Sequence, residues 1–296
     1  MRIVSLLPST TEILFTIGAG DDVVGVTFEC DAPRQARSRR IVSTSSLPAG
    51  LSAAEIDRTV TARLRAGEDL YHLDARALTD LDADLVVTQD LCAVCAVDVS
   101  VVDEALEYLG CRAEVLTIDP YTVDDVLASV IVLGQATGHE EEARRLVHTH
   151  RERLYAVAAA VRGRPAPRAL VLEWTDPPFA PGHWVPEMVS LAGGTSVMGE
   201  PGAKSVRITW EQALAGDPEV VVAAPCGYRL DGAAALTGAL LEHGTLPDGI
   251  PVWAVDANAS FARPGPRLVD GVEALAAIFH PRVMGSPDPT MARRMR

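Results

Sequence analysis

The stretch "RIVSLLPSTTEILFTIGAGDDVVGVT" (Arg2–Thr27) holds one full turn of the pattern from which the chain is built. "RIVSLL" is a short apolar run that reads as a buried strand. Pro8 breaks it, and Ser9 or Thr10 is placed to cap a helix over "STTEILFTIGAG". Glu12 in the first turn suits the helix dipole, Gly18 and Gly20 end the helix, and "DVVGVT" supplies the next strand. The pattern returns at "RALVLEW" (Arg168–Trp174), followed by a longer loop, "TDPPFAPGHW", and a helix "VPEMVSLAGG" stopped by paired glycines. Two further segments, "LDARALTDLDADLVVTQD" and "ITWEQALAGDPEVVVAAP", each give a short helix, an acidic turn, an apolar strand and a polar loop. Strands alternating with helices predict an α/β fold of two similarly built lobes, each a parallel-sheet sandwich with helices on both faces.

Between the lobes, Thr122 with Asp125 has capping-box spacing. From His139 to Val161 the residues Ala143, Leu146, Val147, Leu154, Val157, Ala158 and Val161 fall at helical spacing. They predict one long helix of roughly six turns, ~35 Å, bridging the lobes. The expected organisation is an N-terminal lobe over 1–121, linking helices over 122–164, a C-terminal lobe over 165–281 and a flexible tail over 282–296, where apolar periodicity ends.

With 296 residues, 48% of them hydrophobic, the chain can bury two cores. A net charge of −14 argues against nucleic acid as a partner, and no apolar run reaches the ~18 residues of a membrane span. A monomer is expected. The start "MRIVSLLPSTTE" lacks the long apolar region and cleavage site of a secretory signal, so the expected location is the cytoplasm. Five cysteines (30, 92, 95, 111 and 226) are too few and odd in number for a disulfide framework.

In open parallel sheets, ligands bind beyond the carboxyl ends of the strands, so the loops after strands carry the expected site, in the cleft between the lobes. The first lobe contributes Pro8, Ser9, Thr10, Phe28, Glu29, Cys30, Gln89, Asp90, Leu91 and Cys92. The second contributes Glu173, Trp174, His183, Trp184, Cys226, Gly227, Tyr228, Ser260 and Phe261. Trp174 and Trp184 would wall a flat apolar ring, and Glu29 and Glu173 would accept hydrogen bonds from amides. His183 could ligate a metal or bond a ligand. "LCAVC" reads as a redox pair, a metal clip or a pocket floor; with Cys30, Cys226 and His183, the pair Cys92 and Cys95 would form a cage for zinc or another soft metal. No GxGxxG, Walker or GxSxG motif follows a strand, and no catalytic group is assigned.

The Arg2–Thr27 stretch with the following "ECD", then "TQDLCAVCAV", "LEWTDPPFAPGHWVPEMVSLAGG" and "RPGPRLVDGVEAL", resembles cobalamin-binding proteins of the helical-backbone (class III) substrate-binding superfamily, from Arg2 to about His280. That superfamily includes the vitamin B12 and iron–siderophore receptors of ABC importers. The resemblance implies two lobes on one long helix, a hinge of small amplitude, no catalysis and no required cofactor, with a corrinoid as ligand. It also implies an ABC permease as partner, met by one acidic residue per lobe, here Asp74 and Glu211. Two rivals stay open: a soft-metal or metal-complex binder using the cleft thiols and His183, and an enzyme that modifies a corrinoid.

Overall fold

The apolar runs become strands in the order that the repeat predicts. The computed structural model describes residues 1–48, 50–89 and 113–296, and the chain divides into two compact units. The first comprises Met1–Pro120 with Leu127–Val147, the second Tyr121–Val126 with His148–Arg296.

In the first unit β1 (Ile3–Ser5), β2 (Val23–Thr27), β3 (Arg40–Ser45), β4 (Tyr71–Leu73), β5 (Leu85–Thr88) and β6 (Glu114–Thr117) form one sheet in the order β4-β3-β2-β1-β5-β6. All pairings are parallel except β3 with β4. β1 and β5 are buried throughout, as unbroken apolar runs in a parallel sheet must be. Strand order reverses between β1 and β5, so the topological switch point of this sheet lies there.

The second unit contains β7 (Arg168–Leu172), β8 (Trp174–Thr175), β9 (Pro178–Ala180), β10 (Thr195–Ser196), β11 (Val206–Arg207), β12 (Val220–Ala223), β13 (Val252–Val255) and β14 (Ala292–Arg294). A five-stranded sheet runs β10-β7-β12-β13-β14, parallel except at β14, and reverses order between β7 and β12. β8, β9 and β11 form a small antiparallel sheet. The segment after β7, read from sequence as a loop, is therefore a hairpin in which Trp174 opposes Phe179 and Thr175 opposes Pro178. Two- and three-residue strands are too short to show a period.

The expectation of a flexible tail over 282–296 does not stand. Asp288 Oδ1 accepts hydrogen bonds from the Thr290 amide and hydroxyl, each 2.8 Å, and turns the chain into β14. β14 pairs with the otherwise open edge of β13, where Trp253 opposes Arg294 and Val255 opposes Ala292. Ala292 is buried, Met295 packs against the core that contains Leu240 and Val252, and Arg293 pairs with Asp231 at 2.7 Å.

The first helix, Pro8–Thr16, starts earlier than the hydroxyls suggest: Leu7 is the extended N-cap and Pro8 takes the first helical position, where its missing N–H costs nothing. Ser9 and Thr10 thus lie inside the first turn rather than capping it. Thr122 and Asp125 do form the expected reciprocal cap, at 3.0 and 3.1 Å, ahead of the helix Val123–Thr137. The helix Glu140–Val161 follows. Ala143, Val147, His150, Leu154, Val157 and Val161 are its buried residues, a continuous stripe at spacings of three and four. The chain passes from one unit to the other within this helix, between Val147 and His148, so the linking segment 122–164 is shared between the units.

Deleting residues 290–296 should lower the free energy of unfolding by about 1–3 kcal/mol, the range of a typical damaging change. Urea unfolding of the truncated and full chains checks this; equal midpoints would show that β14 contributes nothing.

Candidate functional site

In the second unit the loops that follow β7 and β12 flank the switch point. Trp174 lies on the first and Tyr228 on the second, both half-buried, with ring centroids 5.7 Å apart and planes inclined by 57°. The loops are joined by the Cys226 amide donating to the Glu173 carbonyl at 3.0 Å. Trp174 Nε1 donates to the Asp176 carbonyl at 3.1 Å, and the Asn258 amide donates to the Tyr228 carbonyl at 2.9 Å. A Cβ on Gly232 would come within 2.7 Å of Tyr228 Cδ1, so the phenol rests on the first turns of the helix Leu230–Glu242. Burial pushes the Tyr228 hydroxyl pKa up, which keeps the ring neutral.

Glu173, read from sequence as an acceptor for ligand amides, is engaged inside the protein instead. Its carboxylate accepts from the Gly182 amide at 3.0 Å and from the Ser205 hydroxyl through a very short bond. Gly182 has no room for a side chain, because a Cβ there would collide with the backbone of Lys204 and Ser205. His183 follows with φ of +51°, its amide donating to Ala203 O at 2.6 Å and its carbonyl accepting from the Gly202 amide at 2.9 Å. Its imidazole lies 6.1 Å from the Tyr121 ring and 5.5 Å from the Trp184 indole. Nε2 is buried without a hydrogen-bond partner, and burial together with Lys204 pushes the pKa down, so His183 is neutral at neutral pH.

Trp184, read as a ring-facing wall, and Phe261, read as a site residue, belong to the core. Trp184 is 6% exposed and Phe261 2%, and the indole N–H donates to the Phe261 carbonyl at 2.7 Å. Ser260 is buried with them, whereas Cys226 and Gly227 are exposed, Gly227 at a φ of +81°. Tyr121, which the sequence reading missed, is exposed beside His183. Its only sequence signal is its place before the capped helix.

In the first unit Pro8, Ser9, Thr10 and Gln89 are buried. Ser5 Oγ lies 2.7 Å from Thr10 Oγ1 and 2.8 Å from Thr11 Oγ1, and Thr11 Oγ1 lies 3.0 Å from the sulfur of the buried Cys30. Glu29 is half-buried, and the ring of the exposed Phe28 lies 6.2 Å from that of Tyr71, inclined by 41°; Tyr71 is another aromatic that the sequence reading did not single out. Asp90, Leu91, Cys92 and Cys95 lie outside the described residues. Among the described residues no group of three or more His, Cys, Asp or Glu is arranged to hold a metal ion. Asp74 and Glu211 are exposed at the starts of short helices; Asp74 Oδ1 accepts from the Ala77 amide at 3.1 Å, and Glu211 lies in the first turn behind the Thr209 cap. No described helix is long and apolar enough to cross a membrane.

Residues 78–241 match the family model described as periplasmic binding protein, and the chain belongs to that family. A vitamin B12-binding protein of Vibrio cholerae is 22% identical over 286 residues, covering 92% of this chain and 86% of the relative. A periplasmic heme binding protein from Pseudomonas aeruginosa superposes with a TM-score of 0.72 at 22% identity, covering 98% of this chain and 96% of that one. The periplasmic vitamin B12 binding protein of Vibrio cholerae superposes with a TM-score of 0.64 at 20% identity, covering 94% and 96%. These relatives share the α/β fold of this chain. The family also overturns the cytoplasmic location expected from the N-terminal stretch: its members are periplasmic binding proteins, and the composition of the first residues is no guide to the compartment.

Because the Trp184 indole is internal, Trp184→Phe should act on stability. Leaving the buried Phe261 carbonyl unpaired is expected to cost about 1–3 kcal/mol in denaturant unfolding. An unchanged midpoint would show that the bond contributes nothing.

Proposed function

We propose that this member of the periplasmic binding protein family is a non-enzymatic binding protein for a corrinoid, engaged by the aromatic surface of Trp174 and Tyr228. The observation that carries the reading is the position of that pair, on the two loops that flank the β7/β12 switch point, where open α/β sheets bind ligands. A corrin ring is broad and apolar on its faces and carries amides at its edge. Half-buried aromatic rings held by backbone hydrogen bonds suit the faces, and a neutral Tyr228 hydroxyl can donate to an amide carbonyl. The vitamin B12-binding name of the relatives supports a corrinoid, and the heme-binding neighbours make heme the competitor to exclude. The hydroxyls of the first unit support a role without catalysis: they bond to one another, to a thiol and to the Leu7 carbonyl, with no base among those contacts. Asp74 and Glu211, both exposed on helix starts, are the residues proposed to meet an ABC permease.

Calorimetric titration with cyanocobalamin, cobinamide and hemin tests this. Corrinoid binding is expected, and Trp174→Ala should weaken it by about 1–3 kcal/mol, roughly fivefold to 150-fold, with circular dichroism unchanged. Binding of hemin alone would replace the corrinoid by heme, and binding of none of the three would overturn the reading. An unchanged corrinoid affinity in the variant would move the site away from Trp174.

A further inference from the structure

His150 occupies a core position. It stands in the stripe Ala143, Val147, His150, Leu154, Val157, Val161, where the spacing calls for an apolar side chain. Only 6% of it is exposed, and neither ring nitrogen has a hydrogen-bond partner. An unpartnered buried polar group costs stability that Leu or Val at this position would not.

Ion pairs from Arg153 form a seam between the helix Glu140–Val161 and the helix Leu268–Phe279. Arg153, three residues along the same face, donates from Nε to Glu273 at 2.9 Å and from Nη2 to Glu273 at 2.7 Å and to Asp270 at 2.6 Å. Both carboxylates are thus engaged by Arg153. On the same helix Arg151 faces Asp124 at 3.7 Å, with both side chains well exposed. A proton on His150 would place a second cation in a buried stripe beside Arg153, at a ring with no hydrogen-bond partner on either nitrogen.

We propose that His150 is a proton-operated latch: neutral, it lets the two helices close on each other, and protonated, it drives them apart. Burial first and Arg153 second push its pKa below the ordinary 6.5, while Asp270 and Glu273 push the other way with less effect. The sign follows. Above pH 6.5 neither the folded nor the open state carries the proton, and the seam is at full strength. As the pH falls below 6.5 toward the lowered native value, only the open state takes up the proton, and stability is lost. The seam also bears on the candidate site. Gly271 on the second helix is so close to the loop before it that a Cβ would lie 2.5 Å from Ser260 O and 2.7 Å from Met188 Cε. The neighbouring Phe261 carbonyl holds the Trp184 indole. Opening the seam would therefore loosen that loop, whatever ligand the protein takes.

Hydrogen exchange of the ligand-free full chain at pH 7.5 and pH 5, corrected for intrinsic rates, tests the latch. Peptides within 148–161 and 268–279 should lose protection at pH 5 by about tenfold for each unit of depressed pKa. In His150→Leu that loss should disappear while protection at pH 7.5 is kept or raised. The same acid loss in wild type and His150→Leu would overturn the proposal. His150→Gln, polar but uncharged, guards against a misfolded leucine variant: it must also lose the acid response, and acid sensitivity equal to wild type in it would overturn the proposal as well.

Discussion

The carboxylate of Glu173, closed on the Gly182 amide and the Ser205 hydroxyl, is the constraint on which the strand-end surface of the second unit depends. Charge-assisted hydrogen bonds are stronger than neutral ones, and here they join the two ends of the β8–β9 hairpin to the segment at Ser205. They fix the end of the β8–β9 hairpin, hold Gly182 against the 203–205 backbone, and so force His183 into its positive-φ conformation. The backbone carbonyl of Glu173 accepts from the Cys226 amide and ties in the loop that carries Tyr228. An acidic residue that resembles a ligand acceptor in the sequence is thus the organiser of the residues that make the surface.

The aromatic residues divide accordingly. Trp184 and Phe261 are buried, with the Trp184 indole N–H bonded to the Phe261 carbonyl, whereas Trp174, its indole N–H bonded to the nearby Asp176 carbonyl, and Tyr228 keep their rings half-buried. His183 lies between these classes, its neutral ring tilted against Tyr121 and Trp184 and its backbone bonded to Ala203 and Gly202.

Much of the architecture was legible. The repeated strand and helix units, the long helix and the cap at Thr122 follow from periodicity and local chemistry, which depend only on neighbours in sequence. The hairpin and β14 were not legible, because strands of two or three residues draw their stability from pairing across the chain. The strand-end rule placed Trp174 and Tyr228 among the candidate loops without any three-dimensional information. It could not separate them from Trp184 and Phe261, since burial is set by tertiary packing. His150 was hidden for a related reason: its residue type broke the apolar stripe that its position completes.

The hydroxyl network around Cys30 has a chemical consequence. A thiol reacts as its thiolate and only where a reagent can reach it. Cys30, 2% exposed, is shielded from reagents by burial, whereas Cys226 is exposed on the loop that carries Tyr228. In an oxidising compartment a reagent would reach Cys226 before Cys30. A modification at Cys226 would then sit between Trp174 and Tyr228 in sequence and beside both in space, making the redox history of a single sulfur part of the surface that a ligand meets.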